Sequence, residues 1–333
     1  MPLPVNSDLR AKALPRLRLG YERTSAPSLL GEADVLAVIG FGRAVAGDDP
    51  RCITVGLDTL QEPFVEVWRS AGTVSHGVDG AVHWSSDGDY LFFAIEADEH
   101  DAGGLDAAAE RAYRDITALV DRRRLAGDAR PEVLRLWNYL DAINEGDGDD
   151  ERYRHFCSGR ARGLGERARN GFSAATAIGR RDGRRVLQVY GLAARVGGLA
   201  IENPRQVSAW RYPREYGPTA PTFARATLTG AGQLLVSGTA AVVGHASQHA
   251  GDTVAQIDET LVNLDQLFQA SGPLDIGPGA QSTLLKVYLR DAADASAVEQ
   301  RIRARHPDIG GILMLAGDIC RRELRVEVDG ISG

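Results

Sequence analysis

The chain has 333 residues, enough for two domains or one large core, with 44% apolar and 25% charged residues, an ordinary balance for a globular protein. A formal net charge of −7 argues against a nucleic-acid partner, because such binders present a basic face; it leaves room for an anionic small molecule, which needs only a few local Arg or Lys residues. Three cysteines (Cys52, Cys157 and Cys320) are too few and too scattered for a disulfide framework or a zinc site, and they suit a reducing cytoplasm.

The first 22 residues, MPLPVNSDLRAKALPRLRLGYE, hold prolines and scattered charge without an apolar run, so they read as neither signal peptide nor membrane span. YLFFAIEA (90–97) reads as a strand. LDAAAERAYRDITALVDRRR follows with Leu105, Ala109, Ala112, Ile116, Leu119 and Val120 on one helical face, acidic residues early and arginines at its end. EVLRLWNYLDAI (132–143) is apolar but of undecided type. After the acidic loop GDGDD, RYRHFCSGRARGLGERA (152–168) reads as a basic helix and RRVLQVYGLAARV (184–196) as one or two strands.

ENPRQVSAWRYPREYGPTAPTF (202–223) carries Pro204, Pro213, Pro218 and Pro221, which excludes a regular element. Long irregular connections of this kind are functional or disordered, and Trp210, Tyr212, Tyr216 and Phe223 argue for order. Beyond it the expected order is strand (FARATLT), strand (QLLVSGTAAVV), helix (TVAQIDETLVNLDQLFQASG), strand (STLLKVYLRD), helix (DASAVEQRIRARH), strand (GGILMLAGD) and strand (ELRVEVDGI). The long helix has a stripe of Val254, Ile257, Leu261, Leu264, Leu267 and Phe268, and Gly272 ends it. This order implies a mixed sheet with two helices on one face, an α+β fold. A fainter strand-helix-strand copy in the first half, with residues 90–96 standing for 234–243, points to an internal repeat.

Ser237-Gly238-Thr239 interrupts the apolar run LLVSGTAAVVGH. Glycine inside a strand marks a bulge or a close approach of ligand or backbone. His245, His249 and Asp252 make a poor metal set, since GHASQH reads as a turn with no further ligand. FGRAVAGDD lacks the spacing of a dinucleotide fingerprint.

Read together, APTFARA, LLVSGT, GDTVAQIDETLVNLDQLFQASG, LLKVYLRD and LRVEVDGI resemble the RidA/YjgF family of small trimeric proteins, whose sites lie in clefts between neighbouring units. YRHFCSGRA, IENP, RYPREYGPTAPTFARAT, SGTAAVVGH and ICRRELRVEVDG look more narrowly like the chorismatases. That resemblance implies two RidA/YjgF-like mixed-sheet domains: a degenerate one over residues 1–150, a connecting segment over 151–218 that contributes to the site, and an intact one over 219–333.

It also implies chorismate as a small-molecule substrate, with no cofactor, no metal, no nucleic acid and no membrane, and a homo-oligomer, a trimer by analogy. The products are 3-hydroxybenzoate (or 4-hydroxybenzoate) and pyruvate; the alternatives are the hydrolytic chorismatase product, a dihydroxycyclohexadiene carboxylate, or a RidA-like imine hydrolase. Against that last activity, GGILMLAGD lacks the family's late arginine. By the match of motifs, Glu327 is the catalytic acid. Arg225, Arg211, Arg160, Arg154, Tyr216, Thr239 and Lys286 bind substrate, and Gly238 and Cys320 decide the product, their glycine–cysteine pair resembling the 3-hydroxybenzoate-forming group. The expectation for Gly238 is that it leaves room for the substrate ring. Lys286 has a plainer reading as a strand-edge lysine.

Overall fold

The computed structural model describes residues 14–42, 45, 47–62, 64–168, 171–272 and 282–333. The first thirteen residues and part of FGRAVAGDD lie outside them.

Three four-stranded units follow one another along the chain. The first holds β1 (Arg18–Glu22), β2 (Val35–Phe41), β3 (Cys52–Val55) and β4 (Val65–Arg69). The second holds β5 (Tyr90–Asp98), helix α1 (Leu105–Arg122), β6 (Glu132–Asp141), helix α2 (Arg152–Leu164), β7 (Ala174–Arg180) and β8 (Val186–Ala194). The third holds β9 (Leu234–Ala240), helix α3 (Thr253–Ala270), β10 (Leu284–Leu289), helix α4 (Ala295–Arg305), β11 (Gly311–Ala316) and β12 (Val326–Ser332).

In each unit the spatial order is first, fourth, second, third, and only the second and third strands run parallel. The parallel pair needs a crossover, and in the second and third units α2 and α4 supply it. Two further strands, Ser75–Asp79 and Val82–Ser86, extend the second sheet past β5, and Leu199–Ile201 with Ala226–Leu228 extend the third past β9. The α+β fold of mixed sheets with helices on one face is thus the one expected, with the suspected repeat present as β5 and β9. The first unit is the addition: short strands and a five-residue helix gave no periodic signal. The second sheet also spans the expected boundary at residue 150, because β8 returns between β5 and β6.

One central core joins all three sheets, with Phe41, Trp68, Trp137, Tyr139, Tyr190 and Tyr288 meeting inside it. Separate outer cores lie under α1 and α2 and under α3 and α4. This resolves the undecided segment at 132–143. It is a strand whose Trp137 and Tyr139 face the centre while Leu136 and Leu140 face the helices, so both faces are apolar and no alternation shows. Helix α2 lies hard against α1: a Cβ on Gly159 would stand 2.0 Å from the Asp106 carbonyl oxygen, and one on Gly163 2.5 Å from that of Glu110. Among the described residues no helix is long and apolar enough to cross a membrane.

Candidate active site

A cavity of about 350 Å³ opens between the second and third units. That is the size range of small-molecule sites. Its walls come from α2, β7, β9, β12, the proline-rich segment and the turn after Asp318–Ile319. The short strand Asp318–Ile319 leaves the third unit to pair with β7, and so carries Cys320 and Arg321 onto the cleft.

Glu327 stands on the cavity wall and is 5% exposed. Its alternation partners Val326 and Val328 pack under the helices, which turns the carboxyl inward. Burial raises its pKa from the usual carboxylate range to about 8, and the charge of Asp329 adds to that, against the pull of Arg135, Arg225 and Arg321. A carboxyl in this state holds its proton near neutrality and can deliver it.

Arg225 is 5% exposed. It donates to the Val207 carbonyl (2.9 Å) and the Tyr212 hydroxyl (2.7 Å), and lies against the Phe223 ring. Arg160 is equally buried, with its guanidinium 5.2 Å from the Tyr113 ring centroid. In both, Nε is buried without a hydrogen-bond partner among the described residues. The same holds for Nε of Arg135 and of Arg180, so this is a feature of the buried arginines of the chain and not of the cavity alone. Arg154 and Tyr216 also line the cavity. Arg154 donates to the Glu215 carbonyl at 2.8 Å, and the Tyr216 hydroxyl lies 3.3 Å from His245 Nδ1.

Three of the expected site residues lie elsewhere. Arg211 is exposed and not on the cavity wall. Thr239 is buried on the opposite face of β9 from Gly238 and Ala240 and donates to the Ser237 carbonyl, because the strand alternates and its register shifts between Val236 and Thr239. Lys286 is not at a strand edge. It sits on β10, hydrogen-bonded between β11 and β12, buried 3.1 Å from Glu66 and 3.1 Å from the Tyr190 hydroxyl, in the central core.

Gly238 lies on the cavity wall, and a Cβ there would stand 1.9 Å from Glu327 Oε1. The space that glycine leaves adjoins the acid. Cys320 and Cys157 both line the cavity as thiols; burial pushes Cys157 up to about 12 and Cys320 higher, so neither is a thiolate nucleophile. Tyr153 lines the same region and is likewise raised by burial.

Arg321 is the residue that motif reading missed. It lines the cavity, packs on the faces of Tyr216 (4.0 Å) and Tyr212 (5.0 Å), and donates to the His245 carbonyl at 2.8 Å. It stands on the cavity wall, where Arg211 was expected. The candidate metal residues are otherwise engaged: His245 with Tyr216, His249 with Glu259, and Asp252 as the cap of α3. Among the described residues no cluster of three or more His, Cys, Asp or Glu side chains is placed to hold a metal ion.

A cavity that carries a buried carboxyl of raised pKa beside Arg154, Arg160, Arg225 and Arg321 is fitted to an anionic small molecule. Residues 66–193 match the family model described as chorismatase FkbO/Hyg5-like, N-terminal. A 3-hydroxybenzoate synthase of Streptomyces hygroscopicus is 37% identical over 81% of this chain and 82% of its own. A chorismatase of Streptomyces rapamycinicus is 35% identical over 93% and 96%. A crystal structure of a chorismatase superposes with a TM-score of 0.81 at 31% identity, covering 96% of this chain and 99% of that one. The chain therefore belongs to the chorismatase family.

Proposed function

We propose that the protein converts chorismate to 3-hydroxybenzoate and pyruvate. The observation that carries this is the Glu327 carboxyl, raised to about 8 by burial, on the wall of a cavity it shares with Arg160, Arg225 and Arg321. Chorismate bears a ring carboxylate and an enolpyruvyl carboxylate, and guanidinium forks are the groups that hold such anions in register. The relatives named above support the substrate, and the 3-hydroxybenzoate synthase among them supports the product.

In this reading Glu327 protonates the terminal methylene of the enol ether, and the ether carbon becomes an oxocarbenium ion. The C4 hydroxyl displaces the activated group at C3, its proton returns to the Glu327 carboxylate, and pyruvate leaves. The resulting 3,4-epoxide opens with its oxygen kept at C3 and loses a ring proton to give 3-hydroxybenzoate. Products and substrate balance without water, so a pocket that the bound substrate itself fills would favour this route over hydrolysis. The Gly238 and Cys320 pair supports the same assignment. Three strand units around one core within a single chain support action by that one chain rather than the trimer that the resemblance implies.

Incubation with chorismate, separation of the aromatic products and assay of pyruvate test the proposal. Equal amounts of pyruvate and 3-hydroxybenzoate are expected. The non-aromatic diene diol as sole product, or 4-hydroxybenzoate in excess, overturns the product assignment. No pyruvate at all overturns the activity.

A further inference from the structure

Three groups converge on the hydroxyl of Thr176, which is 3% exposed on β7 at the cavity wall. It accepts from Arg135 Nη2 (2.5 Å) and from the Gly238 N–H (2.9 Å), and it donates to Asp329 Oδ2 (3.0 Å). A hydroxyl has one proton and two lone pairs, so this set uses its whole capacity. Gly238 and Asp329 belong to the third unit and Thr176 to the second, so the bonds cross the cleft beneath Glu327. Arg135 and Asp329 are both wholly buried and 3.3 Å apart. Asp329 Oδ2 also accepts from Trp137 Nε1 (3.1 Å) and the Tyr288 hydroxyl (2.9 Å).

We propose that Thr176 is a positioning residue for the acid: its hydroxyl pins the Gly238 backbone under the Glu327 carboxyl and holds Arg135 on Asp329 instead of leaving it free to turn towards Glu327. The proposal rests on the reading of Glu327 as proton donor. The groups acting on Glu327 are Asp329, Arg135, Arg225 and Arg321, with the Cys320 thiol and Tyr153 hydroxyl beside them. Around Asp329 stand Lys286 and the hydroxyls of Tyr21, Tyr139, Tyr190 and Tyr288.

The sign follows from these neighbours. Without the Thr176 hydroxyl, Arg135 loses an acceptor and is freer to turn towards Glu327. A nearer cation favours ionised Glu327, so the acid gives up its proton at lower pH.

Thr176→Val removes the hydroxyl and keeps the shape; Thr176→Ser keeps the hydroxyl. The valine variant is expected to lower kcat about tenfold and to move the falling limb of kcat against pH towards acid by about half a unit, with KM within about twofold. The serine variant restores the limb and most of kcat. A folded valine variant with the wild-type limb overturns the proposal, as does a serine variant impaired like valine. Should the valine variant not fold, Thr176→Ala removes the same hydroxyl with a smaller side chain. An unmoved limb there overturns the electrostatic part. Pyruvate release by the wild-type enzyme is measured first: its absence sinks the reading of the active site, whereas normal release with an unmoved limb sinks only the role of Thr176.

Discussion

The cleft between the second and third units and the one between the first and second are made from corresponding strands and both hold a cavity, yet one carries a buried carboxyl at its centre and the other an amide. In the former β7 faces β9, and Glu327 on β12 lies between Ala240 of β9 and Tyr288 of β10. In the latter β3 faces β5, and Gln188 on β8 lies between Glu96 of β5 and Tyr139 of β6. Strand register thus gives Gln188 the station that Glu327 holds one unit further on. The amide is fully engaged. Its nitrogen donates to the Thr54 carbonyl (2.7 Å) and Glu96 Oε1 (2.6 Å), while its oxygen accepts from Arg180 Nη1 (3.2 Å) and the Gly56 N–H (3.3 Å). The same backbone position holds mortar in one cleft and, in the function proposed above, a proton donor in the other. Architecture supplies the station, and the side chain with its surroundings supplies the chemistry.

The comparison breaks most sharply at the acid. Glu327→Gln gives the cleft of the second and third units the residue of its counterpart and is expected to cut pyruvate release by about a thousandfold while ligand affinity holds, as measured by coupled assay and calorimetry. In the wild type kcat should fall as pH rises through about 8, since the protonated carboxyl is the active form. The same raised pKa means that Glu327 favours the folded state below the ordinary carboxylate range and that this advantage is lost as pH rises towards 8. Glu327→Gln should therefore melt higher than wild type at pH 8, with the gap closing towards pH 5.

Gly238→Ala comes next. Its methyl group cannot coexist with Oε1 at 1.9 Å, so the acid must swing. A fall in rate of about ten- to a hundredfold is expected, with a rise in the diene diol relative to 3-hydroxybenzoate on chromatography. An unchanged product ratio would show that the acid's position does not control the route. The smallest effect on catalysis belongs to Gln188→Leu, which strands four polar partners between the first and second units. It should cost about 2–3 kcal/mol in denaturant unfolding and leave kcat within about twofold.

Legibility in the sequence followed the range of the interactions. The third unit was readable because α3 carries a long apolar stripe and Glu327 lies in a motif of its own. Position 132–143 stayed undecided because a strand buried on both faces has no period. Arg211 and Arg321 could not be told apart by type, since both flank aromatic or charged runs; the difference is a short strand at 318–319 that crosses to another sheet. Lys286 looked peripheral because its partner Glu66 lies 220 positions earlier in the chain. Gly238 was noticed, but its neighbour in space was not, because that contact joins two strands across a register shift.

The contact of α2 with α1 through Gly159 and Gly163 has a practical consequence for redesign. One side of the cavity is set by main chain resting on main chain, which has no rotamers to repack and will not yield to bulkier substrates. The other side, formed by Tyr212, Tyr216 and Phe223 on an irregular segment, is built from exchangeable rings. Widening the enzyme's substrate range is a matter of trimming those rings and leaving the helix pair untouched.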